Sequence, residues 1–132
     1  MRNPARTVAE IHLLSTHFGE ISFEEDDPSL VLVHHFPLPP GYNRTDCELA
    51  IDLGPDYPDL PPQDFYLSRG LTKNGHTSSH YFSHFRGKQY CSEGLAWYSF
   101  HIKSWRPDPW GMLGGDNLLS AVNAFYTALK TD

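Results

Sequence analysis

Val8, Ile11, Leu14 and Phe18 recur at three- and four-residue spacing, and Gly19 follows them. That spacing predicts a helix over residues 4–18, ended by a glycine cap. Glu20 to Glu25 alternates, with Ile21 and Phe23 on one face, as a strand does. Asp26 to Ser29 is a turn. Leu30 to Phe36 is an almost continuous apolar run, which predicts a strand covered on both faces or by a helix. Pro37 to Asn43 breaks it. Cys47, Leu49, Ile51 and Leu53 then alternate with Glu48, Ala50 and Asp52, a strand with one buried face. Gly54 to Pro62 holds four prolines, which fix φ and remove donors, so no regular element fits there. Phe65-Tyr66-Leu67 is a short fourth strand. From Ser68 to Gly115 the pattern dissolves into Gly, Ser, His and aromatic residues. That stretch is too long for a plain connection and reads as a functional segment or a set of small turns. Order returns at Asp116, a good N-cap, ahead of the stripe Leu118, Leu119, Val122, Phe125, Tyr126 and Leu129, with the helix running to Lys130. Helix, four-stranded antiparallel meander, long irregular segment and helix make an α+β domain with its helices on one sheet face.

Composition narrows the class without changing the fold. At 132 residues, one domain spanning 1–132 is expected, and the proline clusters punctuate elements rather than form linkers. Lys and Arg number 10 against 16 Asp and Glu, a formal net charge of −6, which disfavours nucleic acid as a partner. No apolar run approaches the roughly 20 residues that cross a bilayer, so no membrane partner is expected. MRNPARTVAE lacks the apolar core of a signal peptide, which points to the cytoplasm. Two cysteines make no disulfide framework, and in a cytoplasm both are reduced.

The two thiols have different surroundings. Cys47 is in phase with Leu49, Ile51 and Leu53 and is expected in the core, as a small hydrophobe. Cys91 lies in a polar stretch with Gly87 before it and Gly94 after it, and His84, Arg86 and Lys88 can favour its thiolate. From the residues alone it is either a nucleophile or a loop thiol without a task. His76, His80 and His84 fall at i, i+4 and i+8, which on a helix would face a metal. Asn74 to Ser79 is a poor helix, however, so a polar wall beside Cys91 is the expectation, with no metal and no cofactor. His34 and His35 are expected packed or at an edge, and Glu24 to Asp27 at a solvated tip. Trp97, Trp105 and Trp110 offer aromatic surface for recognition, with Trp105 and Pro107 pinning the loop to the sheet.

The order of landmarks says more than any one of them. Tyr57-Pro58-Asp59-Leu60-Pro61-Pro62 falls between the third and fourth strands, followed by His80, Gly87 and Cys91, then Trp105-Arg106-Pro107, then the helix. This series resembles the core of the ubiquitin-conjugating (E2) enzymes, with their YPxxPP turn, HPN tripeptide, acceptor cysteine and WSP step. The segment from Trp97 to Pro107 resembles the bacterial branch called prokaryotic E2 family E. The resemblance implies a UBC-like fold with a shortened C-terminus and a thioester formed on Cys91. It implies an E1-like adenylating enzyme, a ubiquitin-like modifier and a target protein as partners. A JAB-type metallopeptidase often accompanies such systems, which are linked to defence against phage. In the family's HPN position stands His80-Tyr81-Phe82, so the asparagine is missing, and extra residues separate Cys91 from the Trp-x-Pro step. Oxyanion or loop support then falls to His84, His101 or Asn117, and orientation of the amine to Glu93, Asp108 or Asp116. Two other functions fit the same chain: a non-catalytic E2-fold binding module, and a small hydrolase pairing Cys91 with His84 or His101.

Overall fold

The computed structural model describes residues 3–62, 64–82 and 94–132. The elements run α1 (Pro4–Phe18), β1 (Ile21–Ser22), β2 (Leu30–Pro37), β3 (Asp46–Asp52), β4 (Asp64–Ser68), β5 (Leu95–Tyr98), a 3-10 turn (Met112–Gly114) and α2 (Leu118–Thr131). The five strands form one antiparallel sheet in the order β1-β2-β3-β4-β5. The architecture is the expected α+β, with one strand more than the four predicted. Leu95-Ala96-Trp97-Tyr98 pairs with β4 inside the stretch read as irregular. Four residues flanked by Gly94 and Ser99 give too short a period to stand out from the glycine, serine and aromatic residues around them.

Both helix starts are built by side chains. Asn3 caps α1 through Arg6 N at 3.1 Å, with proline in the first turn. α2 is capped by Asn117, not by the expected Asp116. Asn117 accepts from Ser120 N at 2.9 Å, and its own N–H donates to Ser120 Oγ at 2.9 Å, a reciprocal box. Asp116 braces the same turn one residue earlier, receiving Ser120 Oγ at 3.1 Å. At the other end of α2, Lys73 Nζ donates to the carbonyls of Leu129, Lys130 and Asp132 at 2.8–3.1 Å, placing a cation on the negative end of the helix. The Asp132 carboxylate receives Ser79 N and the hydroxyls of Ser78 and Ser79. Burial alone would raise that carboxyl, but these hydrogen bonds outweigh it and hold the group below its ordinary range.

The core lies between the two helices and the inner sheet face. Val31, Val33, Phe36, Cys47, Leu49, Ile51, Phe65, Leu67, Ala96 and Tyr98 meet Ile11 and Leu14 of α1 and Leu118, Val122, Phe125 and Leu129 of α2. Phe125 is the centre of an aromatic group: its ring stacks on Phe65 at 4.5 Å, with Phe36, Phe100 and Tyr98 at 6.2, 5.7 and 6.4 Å. β2 is not covered equally on both faces. Val31, Val33 and Phe36 are buried inward, whereas Leu30 and Leu32 are half-buried outward beside Ala50, Tyr66, Leu95 and Trp97. Residues 73–76 form a tight turn with Asn74 and Gly75 at positive φ, not a helix, so the histidine spacing does not align His76 with His80. Among the described residues no helix is long and apolar enough to cross a membrane. Truncating Phe125→Ala removes the shared ring of the core and is expected to cost about 3–5 kcal/mol. A urea titration read by circular dichroism would show the lowered midpoint.

Candidate functional site

A single buried carboxylate gathers the sequence landmarks. Glu10 sits on the inner face of α1 and is fully buried, with Arg6 one turn before it. Its Oε1 receives the hydroxyl of Tyr57, from the proline-rich turn, and Leu118 N, from the start of α2, the latter at 2.7 Å. Its Oε2 receives Arg6 Nε at 2.9 Å. The negative charge lies at the positive end of α2 and beside a guanidinium, so the cost of burying it is offset twice. Burial, then the neighbouring Glu10 charge, pushes the Tyr57 hydroxyl far above its ordinary range, so it stays protonated and donates. Arg6 Nη1 continues the network to the Asp108 carbonyl.

Trp105 closes the arrangement. Its Nε1 donates to the Pro58 carbonyl at 2.8 Å, and its ring lies 6.0 Å from that of Tyr57. The Tyr-Pro and Trp-Arg-Pro landmarks therefore touch, and Trp105 holds the proline-rich turn rather than the sheet to which it was expected to pin the loop. Loop 106–117 is braced from both ends: Arg106 N donates to Asp116 Oδ2 at 2.7 Å and Asp116 N to the Arg106 carbonyl at 3.0 Å. A Cβ on Gly115 would lie 2.4 Å from the Arg106 carbonyl oxygen, so the chain can pass there only without a side chain. The braced loop presents Trp110, which is 94% exposed, and Leu113, which is 75% exposed. A recess of about 470 Å³ lies beside it, lined by Asn3, Arg6, Pro58, Asp59, Pro107 and Pro109.

Three of the named site residues meet in this loop. Asp108 receives Trp110 N on Oδ1 at 2.9 Å, Asp116 holds Arg106, and Asn117 both caps α2 and donates from Nδ2 to the Met112 carbonyl at 2.9 Å. His101 lies exposed past the end of β5, 3.4 Å from Ser99 Oγ. His80 holds the Ser99 carbonyl through Nδ1 at 3.1 Å and sets its ring edge-on to Phe100. Cys91, His84 and Glu93 lie outside the described residues. On either side of that stretch, Phe82 N donates to the Trp97 carbonyl at 3.1 Å, and Arg69 N donates to the Gly94 carbonyl at 2.9 Å. Among the described residues no group of three or more His, Cys, Asp or Glu side chains is placed to hold a metal ion.

The profile of prokaryotic E2 family E matches residues 10–132, from the buried glutamate to the last residue. The chain belongs to prokaryotic E2 family E. No curated protein and no solved structure matches it. Membership gives this E2-like chain a conjugating function as its class, with an E1-like enzyme and a modifier as the kind of partner the family implies. The five-stranded sheet with one helix before it and one after agrees with an E2-like fold. Sequence reasoning missed Arg6 and Glu10. The available signal was an acidic residue at position 10, directly beside Ile11 in the apolar stripe.

Cys47, the other thiol, is 1% exposed among Leu49, Ile51 and their neighbours, as its phase predicts. Burial is the main cause that pushes its thiol up to about 11. At pH 8 only about a thousandth of it is thiolate, and that fraction is shielded from solvent. Native protein treated with iodoacetamide at pH 8 should therefore leave Cys47 unmodified, and urea-unfolded protein should modify it; peptide mass mapping reads both. Glu10→Ala strands Arg6, Tyr57 and Leu118 N together and is expected to cost about 3–5 kcal/mol. Tyr57→Phe should cost about 1.5–3 kcal/mol. The double variant should lose less than the sum in urea unfolding, because both changes break one network.

Proposed function

We propose that this E2-like protein carries a ubiquitin-like modifier as a thioester on Cys91. An E1-like enzyme adenylates the modifier and loads it, and the acyl group then passes to an amine, a lysine of the target protein. The observation that supports this most directly is the state of Cys47. The chain has two cysteines, and Cys47 is sealed in the core with its thiol held protonated. A carrier needs a thiolate that a large partner can reach, which leaves Cys91. Thiol-to-thiol exchange is nearly isoenergetic, so loading needs access more than strong acid–base catalysis. Transfer to the amine passes through a tetrahedral oxyanion, where one well-aimed donor contributes about 3–4 kcal/mol.

The auxiliary roles follow from what each side chain already holds. Asn117 spends its amide on the α2 cap and on Met112, which suits loop support. Asp116 is engaged by Arg106 and Ser120, and Asp108 by Trp110, so both brace the loop before either could orient an amine. To His84 and Glu93, sequence neighbours of Cys91, and to the exposed His101 we assign service to the reacting groups. The setting we propose is a cytoplasmic bacterial conjugation system acting against phage.

The test is a non-reducing gel of the protein with its E1-like enzyme, modifier and ATP. A thiol-sensitive adduct should form, vanish in Cys91→Ala, and become thiol-resistant in Cys91→Ser. An adduct that survives Cys91→Ala overturns the assignment.

A further inference from the structure

The outward face of β1–β3 carries a second set of reactive side chains. Ile21 pairs with Val33 and Val33 with Leu49, after which the ladder shifts, so that His34 and His35 share the place opposite Glu48. A bulge of this kind re-aims side chains. His35 turns to Glu20 and Asp46, at 3.6 and 3.4 Å. His34 turns between Ser22 and Glu48: Ser22 Oγ lies 2.6 Å from Nε2, and both Glu48 oxygens lie 3.1 Å from Nδ1. An ionised carboxylate only accepts, so with a neutral ring the proton sits on Nδ1 and Nε2 is left to accept from the Ser22 hydroxyl. Hydroxyl, imidazole and carboxylate in that order form the arrangement that activates a serine as a nucleophile.

A recess of about 390 Å³ lies beside Ser22. It is lined by Ser22, Phe23, Glu24, Asp27, Leu30 and Leu32 among others. Its apolar walls suit a short hydrocarbon group, and its two carboxylates disfavour an anion. Ser22 is exposed and His34 half-buried, so a small molecule can reach the pair.

We propose that Ser22 is an acyl-accepting hydroxyl that takes short, uncharged or cationic acyl groups from activated esters or thioesters. Ser22 Oγ attacks the acyl carbonyl as its proton passes to His34 Nε2. The new O–C bond forms, the C–O or C–S bond to the leaving group breaks, and the leaving alkoxide or thiolate takes the proton from Nε2. Attack by water along the same proton path releases the acid and restores the hydroxyl. Glu48 fixes the tautomer of His34 and orients it. This chemistry is independent of the thioester proposed for Cys91.

The experiment uses Cys91→Ala as background, so that the Cys91 thiol takes no label. The protein is incubated with p-nitrophenyl butyrate and, separately, with an alkyl fluorophosphonate, and the adduct is mapped by peptide mass. Ser22 should be labelled in native protein and not in urea-unfolded protein. Ser22→Ala should abolish that adduct, His34→Gln should slow it about a hundredfold, and Glu48→Ala about tenfold. Labelling of Ser22 that is absent, or equally fast in native and unfolded protein, overturns the proposal. So does a His34→Gln variant that labels at the parent rate while keeping the parent's thermal midpoint.

Discussion

The carboxylate of Glu10 is the constraint on which the rest of the structure depends. It is fully buried, and a buried charge is tolerable only when its partners surround it. Those partners come from Arg6 in the same helix, from Tyr57 47 residues on, and from the first residue of α2, 108 residues on. Satisfying one side chain therefore fixes where α1, the proline-rich turn and α2 meet. An apolar residue at position 10 would leave the Tyr57 hydroxyl and the Leu118 amide without this acceptor. The Tyr57 hydroxyl and the helix amide would then also need water or new partners in a dry place.

From that junction the functional geometry spreads outward. Tyr57 and Pro58 receive Trp105, Arg6 reaches Asp108, and Arg106 and Asp116 close the loop between them. This loop stands directly before the helix whose stripe gives Leu118, Val122, Phe125 and Leu129 to the core, so packing of Phe125 and alignment of the loop are parts of one arrangement. A loop braced by backbone and carboxylate bonds would lose little freedom on binding a partner. The exposed Trp110 and Leu113 on it are offered by a rigid support rather than a floppy one.

The two sheet faces have different work. Inward, the strands supply Val31, Val33, Leu49, Ile51, Phe65 and Leu67 to the core, and the same phase buries Cys47 and suppresses its thiolate. Outward, half-buried Leu30, Leu32 and Trp97 surround a small second cluster, and the bulge in β2 sets His34 between a hydroxyl and a carboxylate. One extra residue in β2 thus separates a plain structural strand from one that carries polar chemistry.

Periodicity determined much of this by itself. The residue 4–18 helix, the strands at 30–37 and 46–52, the core position of Cys47 and the final helix follow from spacing, because a face against a core imposes its repeat on the chain. Landmark order likewise determined the family, since turn chemistry and the Trp-Arg-Pro step are local. What only the tertiary structure decided lacks a local period. The first strand shrinks to Ile21–Ser22 where pairing with β2 ends, β5 emerges from aromatic residues that become a strand only beside β4, and Asn117 rather than Asp116 caps α2 because loop 106–117 claims Asp116 first. Above all, an acidic residue beside the apolar stripe of α1 does not by itself say what surrounds it. Its burial is a property of Arg6, Tyr57 and Leu118 arriving together, and a pairwise satisfaction across 108 residues cannot be written in the spacing of one helix.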